Sequence, residues 1–169
     1  MLKFALASAL VATAAPVLAQ GGVAGLKPAT PADIVSAASS CIAAVGPTGT
    51  DQAVLLAQGW TKATMTRNGK AVEPPLGIYG RKSGNVVLMI GPNGKTGGLC
   101  NVVARVERIE TASAVASSLS TQLNSKPAKT EPGSVYWFRG SKIVQLATTG
   151  DRAKPSVRIS VMQMSEKPK

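Results

Sequence analysis

The chain reads as an α+β domain, an antiparallel sheet of about six or seven strands with an N-terminal helix and a middle helix packed on it. Three observations predict this. Segments 31–45 and 111–123 repeat apolar residues at helical spacing. Segments 61–108 and 135–164 break into short apolar or alternating runs separated by Gly, Pro and Asn, and such short connections make antiparallel neighbours. Cys41 falls on the apolar side of the first helix and Cys100 on the apolar side of an alternating strand, so one disulfide would tie helix to sheet.

Residues 1–19, MLKFALASALVATAAPVLA, carry a positive start at Lys3, an apolar run too short to span a bilayer, and the small-residue processing site Val17-Leu18-Ala19 before Gln20. They read as a cleavable signal peptide. The expected compartment is the bacterial periplasm or the outside of the cell, and Gln20 at the first mature position gives no lipid-anchoring cysteine. A flexible lead, 20–29, precedes a single domain, 30–164, and a charged tail, 165–169.

The first helix opens with Thr30-Pro31-Ala32-Asp33, which places a hydroxyl at the N-cap, proline at the first helical position and a carboxylate at the third. Ile34, Ala38, Cys41, Ile42 and Val45 follow on one face, and Gly46-Pro47 is the stop. A short second helix is expected over 51–58 with Thr50 as its cap, and Trp60 anchors the entry to the sheet. Strands follow over 61–67, ended by the hairpin signal Asn68-Gly69, then over 78–82 and 85–90. The nearly all-apolar 85–90 suits a central strand covered on both faces. In 99–107, Cys100, Val102, Ala104 and Val106 alternate with Asn101, Val103, Arg105 and Glu107. Val115, Leu119 and Leu123 mark the middle helix, 126–133 reads as an exposed linker, and strands are expected over 135–139, 142–148 and 155–164. Met162 and Met164 are expected to pack against a helix on the sheet's second face. No tandem repeat is convincing, although strands followed by a helix and more strands leave a distant internal duplication conceivable.

Composition excludes more than motifs include. The chain has no histidine, which removes the general base of Ser-His-Asp and Cys-His hydrolases and the commonest nitrogen ligand of zinc. No metal site and no cofactor are expected. Ser-x-x-Lys spacing is absent, and Cys41 and Cys100 lie too far apart for a C-x-x-C redox pair. The carboxylates Asp33, Asp51, Glu73, Glu107, Glu110, Glu131, Asp151 and Glu166 are dispersed, with no pattern that makes two converge on one bond. The segment 91–96, GPNGKT, ends like a phosphate-binding loop, but Met89 stands where the pattern needs glycine and a strand follows. It reads as a hairpin loop.

The formal net charge is +11, and it falls by one when Lys3 leaves with the signal. In an exported protein such an excess points to anionic lipid, lipopolysaccharide or an envelope protein as partner. No nucleic acid is expected, because no recognised nucleic-acid motif accompanies the charge. The candidate anion-contacting residues are those near strands and their turns: Arg81, Lys82, Arg105, Arg139, Lys142 and Arg158. The functional expectation is a non-enzymatic binding or structural protein of the envelope. Its alternative is a periplasmic hydrolase or transferase using Ser-Lys or carboxylate chemistry.

Overall fold

The computed structural model describes residues 25–72, 74, 76–91 and 97–164. The signal segment, the start of the lead, the tip of the 91–96 loop and the charged tail lie outside the described residues. The chain runs α1 (Pro31–Ala44), β1 (Val45–Gly46), β2 (Gly49–Thr50), α2 (Gln52–Ala57), β3 (Thr61–Lys62), β4 (Met65–Arg67), β5 (Lys70–Val72), β6 (Gly77–Gly80), β7 (Val86–Ile90), β8 (Leu99–Arg105), α3 (Thr111–Leu123), β9 (Lys129–Glu131), β10 (Ser134–Arg139), β11 (Lys142–Gly150) and β12 (Pro155–Gln163). This is the expected α+β architecture, a single compact domain. Eight strands form the main antiparallel sheet in the order β3-β6-β7-β8-β12-β11-β10-β9.

Local chemistry sets the element ends. At α1 a full capping box closes. The Asp33 N–H donates to Thr30 Oγ1 at 3.2 Å while Asp33 Oδ2 accepts from the Thr30 N–H at 3.1 Å. The cap of α2 is Asp51 and not Thr50. Asp51 Oδ1 accepts from the N–H groups of Ala53 and Val54, and the Thr50 hydroxyl instead donates to the Leu99 carbonyl at 3.1 Å. A carboxylate one residue nearer the helix reaches the free N–H groups, and it suits the positive end of the helix better than a hydroxyl. The 61–67 run splits into β3 and β4. Asn68 and Gly69 both take positive φ, 52° and 75°, the conformation of a tight hairpin turn into β5. Residues 126–133, expected as a linker, contain the edge strand β9, and its Lys129–Glu131 pairing with β10 lacks the apolar run by which a strand is recognised in sequence.

The two halves of the sheet repeat one order. Helix, short edge strand and a three-strand meander occur first as α1, β3, β6, β7 and β8, then as α3, β9, β10, β11 and β12. They meet where β8 pairs with β12. Val102 faces Ile159 and Cys100 faces Val161, so a pseudo-two-fold axis passes through the Asn101–Ser160 pair. Tyr79 on β6 and Trp137 on β10 occupy equivalent places, and both rings are fully buried. Each ties a helix down by its polar tip: the Tyr79 hydroxyl donates to Gln52 Oε1 at 2.7 Å, and Trp137 Nε1 donates to Ser120 Oγ at 3.1 Å. The order of elements is thus repeated in the topology.

The helices pack on one face of this sheet. Strand alternation sends Val86, Leu88, Ile90, Cys100, Val102, Ala104, Val144, Leu146, Val157, Ile159 and Val161 to that face, where they join Ile34, Ala38, Cys41, Val115 and Leu119 in one core. In β7 the pattern is one-sided. Val87 and Met89 are half-buried on the other face, so this strand is covered on one side rather than the two expected. Apolar composition alone does not tell a strand covered twice from one whose second face is merely crowded by its neighbours.

Cys41 and Cys100 are joined, with their Cα atoms 5.5 Å apart and both side chains buried. The bond fixes α1 to the strand next to the pseudo-two-fold axis. Gly98, just before β8, is held to the β1–β2 turn, and a Cβ there would lie 2.4 Å from the Gly49 carbonyl oxygen. The bridge closes a loop with a sequence separation of 59, which corresponds to about 4 kcal/mol of constraint on the unfolded chain. Replacing both cysteines by alanine is expected to lower unfolding free energy by roughly that amount, read from denaturant midpoints. The native protein should take up no thiol-alkylating reagent, and a mass increase for two labelled thiols would contradict the bridge.

Candidate functional site: the open face of the sheet

Three of the six candidate cations serve the helices. None of the three helices carries a basic residue in its own last turn, yet each receives one from elsewhere, α1 and α3 from strands β11 and β10 and α2 from the β6–β7 connection. Lys142 Nζ donates to the Ile42 carbonyl of α1 at 2.6 Å, Arg81 Nη2 to the Gln58 carbonyl at the end of α2 at 2.9 Å, and Arg139 Nη1 to the Leu123 carbonyl of α3 at 3.5 Å. A cation there offsets the negative end of the helix and satisfies a carbonyl that has no partner in its own helix. Burial, with the neighbouring Arg139 charge, holds the Lys142 ammonium below its ordinary value. Lys82 lies exposed in the β6–β7 connection.

Arg81 also lies over the Trp60 ring, 4.3 Å from its centroid, a cation–π contact. Together with Asp33, Ser36, Ser83, Asn85 and Val86 these residues line a cleft of about 40 Å³, room for water rather than for a substrate. Trp60 Nε1 is buried without a hydrogen-bond partner among the described residues. Asp33 is engaged from two sides, by Thr30 and by the Asn85 side-chain amide at 2.8 Å.

Arg105 and Arg158 stand apart, on the face away from the helices. In β12, Val157, Ile159 and Val161 take the helix face, so period-two alternation puts Ser156, Arg158, Ser160 and Met162 on the other. Met162 therefore does not pack against a helix as expected. Arg158 lies opposite Val103, two residues along the same face of β8 from Arg105, and Arg105 lies opposite Ser156. This makes the arginines diagonal neighbours on paired strands. Neither guanidinium has a hydrogen bond or ion pair among the described residues. Arg105 Nε is buried and unpartnered, and Arg158 is exposed.

The rest of the open face is ordered in rows. Across its middle, Ser160 Oγ donates to Asn101 Oδ1 at 2.7 Å, Gln145 Nε2 donates to the Tyr136 hydroxyl at 3.0 Å, and that hydroxyl donates to Glu131 Oε2 at 3.0 Å. Lys129 pairs with Glu131; Lys129 first and the Tyr136 hydroxyl second hold the Glu131 carboxyl below its ordinary range. At the end opposite the arginines, Leu99, Met162, Ile143 and Phe138 form a row across four strands. Phe138 is the most exposed of these, at 53%. The alternation of 136–138 is visible in the sequence, but only the register reveals that Phe138 shares a row with Ile143, Met162 and Leu99.

The acidic side chains have local partners more than mutual ones. Asp33 and Asp51 cap helices, Asp151 Oδ1 accepts from the N–H groups of Ala153 and Lys154 in the β11–β12 turn, and Glu131 belongs to the polar row. Glu107 and Glu110 are exposed between β8 and α3. Among the described residues no group of three or more His, Cys, Asp or Glu side chains could hold a metal ion, and no helix is long and apolar enough to cross a membrane. Compared with family models, with curated proteins and with solved structures, the chain matches none.

The Asp33 carboxyl is held below its ordinary value of 3.8, first by the Thr30 hydroxyl, then by the Thr30 N–H, against partial burial, with Asn85 also favouring the charged form. A depressed carboxyl contributes stability that is complete above 3.8 and disappears as pH falls through the folded-state value. Asp33→Ala is expected to cost about 1 kcal/mol at neutral pH. The gap between variant and wild type should narrow as pH falls below 3.8, measured by urea denaturation across the acid range.

Proposed function

We propose that this is an exported, non-enzymatic binding protein of the bacterial envelope that contacts anionic envelope components. The observation that carries the reading is a sheet covered by helices on one face and presenting Arg105 and Arg158, free of protein partners among the described residues, on the other. A guanidinium left without an acidic neighbour retains its full attraction for phosphate or carboxylate groups. The Cys41–Cys100 bridge fits an oxidising compartment, and residues 1–19 supply the means of reaching it. The net charge of +11 adds long-range attraction to a surface of phosphates. Anionic lipid and lipopolysaccharide are the partners that this chemistry favours over an envelope protein.

Two measurements test the reading. The chain recovered from a periplasmic fraction is expected to begin at Gln20 by N-terminal sequencing, and retention of Met1 in the folded, exported protein would contradict processing. In co-sedimentation, binding to vesicles rich in phosphatidylglycerol is expected at low salt, with weaker binding at high salt and little to neutral phosphatidylcholine vesicles. Equal binding to both lipid compositions would sink the electrostatic basis of the proposal.

A further inference from the structure

We infer that the open face of the sheet is the membrane-docking surface, lying flat on an anionic bilayer with Arg105 and Arg158 at the lipid phosphates and Phe138, Ile143, Met162 and Leu99 set into the interface. This rests on the envelope-binding reading and adds a face, an orientation and a lipid occupant.

The face has two different ends. Arg158 and Met162 point the same way from one strand, four residues apart, which separates the cationic end from the apolar row by about 13 Å. The apolar row crosses β8, β12, β11 and β10, a width of about 14 Å at ordinary strand spacing. Both ends therefore lie on the same side of the sheet within a short span. Phe138, 53% exposed, is the side chain placed to enter the headgroup region, where aromatic residues are favoured. The acidic side chain on this face of the strands, Glu131, already has Lys129 as its partner, so it offers little repulsion.

The same arrangement disfavours an acidic protein as occupant. Protein interfaces place large apolar anchors at the centre and polar groups at the rim, whereas here the exposed aromatic, Phe138, lies at one end and hydrogen-bonded polar side chains cross the middle, with Val87, Met89 and Val103 only half-buried among them. The central row is also largely self-satisfied, through Ser160–Asn101 and Gln145–Tyr136–Glu131. A bilayer requires none of those groups. It needs cations for its phosphates and apolar side chains for its interface, and these are the groups left unpaired.

The test uses the full mature chain, vesicles of phosphatidylglycerol and phosphatidylcholine, and three charge variants whose folding is checked by thermal denaturation. Arg105→Gln with Arg158→Gln is expected to weaken vesicle binding roughly 30-fold, and Arg158→Gln alone by about fivefold, as two basic contacts or one are lost. The single variant keeps the test decisive should loss of the half-buried Arg105 disturb folding. Lys70→Gln with Lys126→Gln removes the same charge as the double arginine variant from exposed sites outside the strands of the main sheet, and should change binding by less than about twofold. Phe138→Ser should reduce the binding that survives at high salt. If the lysine pair weakens binding as much as the arginine pair, anionic binding stands but the docking face is overturned. If the wild type ignores anionic vesicles, the envelope-lipid reading falls with it. If soluble polyglutamate displaces the protein from vesicles and Phe138→Ser has no effect, the face belongs to an acidic polypeptide and the lipid assignment is overturned.

Discussion

The covalent tie between α1 and β8 is the constraint from which the rest of the molecule can be understood. Cys100 stands beside the pseudo-two-fold axis, on the strand that joins the two halves of the sheet, and Cys41 brings the first helix down onto it. Once that helix is fixed, period-two alternation in β8 assigns Val102 and Ala104 to the covered face and Asn101, Val103 and Arg105 to the other. Pairing then carries the assignment outward strand by strand. A one-residue slip between β8 and β12 would exchange the two faces of a half-sheet, burying Arg158 and exposing Ile159.

The repeated topology lets few aromatic residues organise a core. The chain holds two Trp, two Tyr and two Phe; Tyr79 and Trp137 stand on matching strands of the two halves and bond to α2 and α3 respectively, and Trp60 is buried in the same core. The remaining core consists largely of Val, Leu, Ile and Ala. Cationic side chains from two strands and one strand connection complete the design at the helix ends, where Lys142, Arg139 and Arg81 meet carbonyls that the helices leave without partners. Part of the basic excess is therefore internal structural chemistry. What remains on the open face is a smaller and more localised charge than composition alone implies.

Much of the fold was legible because its signals are local. The Thr30–Asp33 capping box, the Asn68-Gly69 turn, the alternation of β8 and the apolar periodicity of α3 each depend on residues within a few positions of one another. The disulfide was legible because two such local patterns agreed on the faces of Cys41 and Cys100. Elements without apolar patterning were not: β9 is Lys-Thr-Glu, recognisable as a strand only through its pairing with β10. The candidate site was legible residue by residue and illegible as an arrangement. Arg105 and Arg158 could each be singled out as cations held by strands, but their adjacency comes from the β8–β12 register, which joins residues far apart in the chain. Arg139 and Lys142 show the converse, since their helix carbonyls are met only in three dimensions.

The two faces of one sheet have different environments, the first covered by helices of which α1 is stapled to β8, the second proposed to receive an anionic surface. Hydroxyl-radical footprinting with peptide mass spectrometry, with and without phosphatidylglycerol vesicles, addresses both halves together. The account predicts that Tyr79 and Trp137 stay unmodified throughout, while Phe138, Tyr136 and Met162 are modified in the free protein and protected when vesicles are added. Modification of Tyr79 or Trp137 in the folded protein, or bound protein whose Phe138 and Met162 remain as reactive as before, would contradict it.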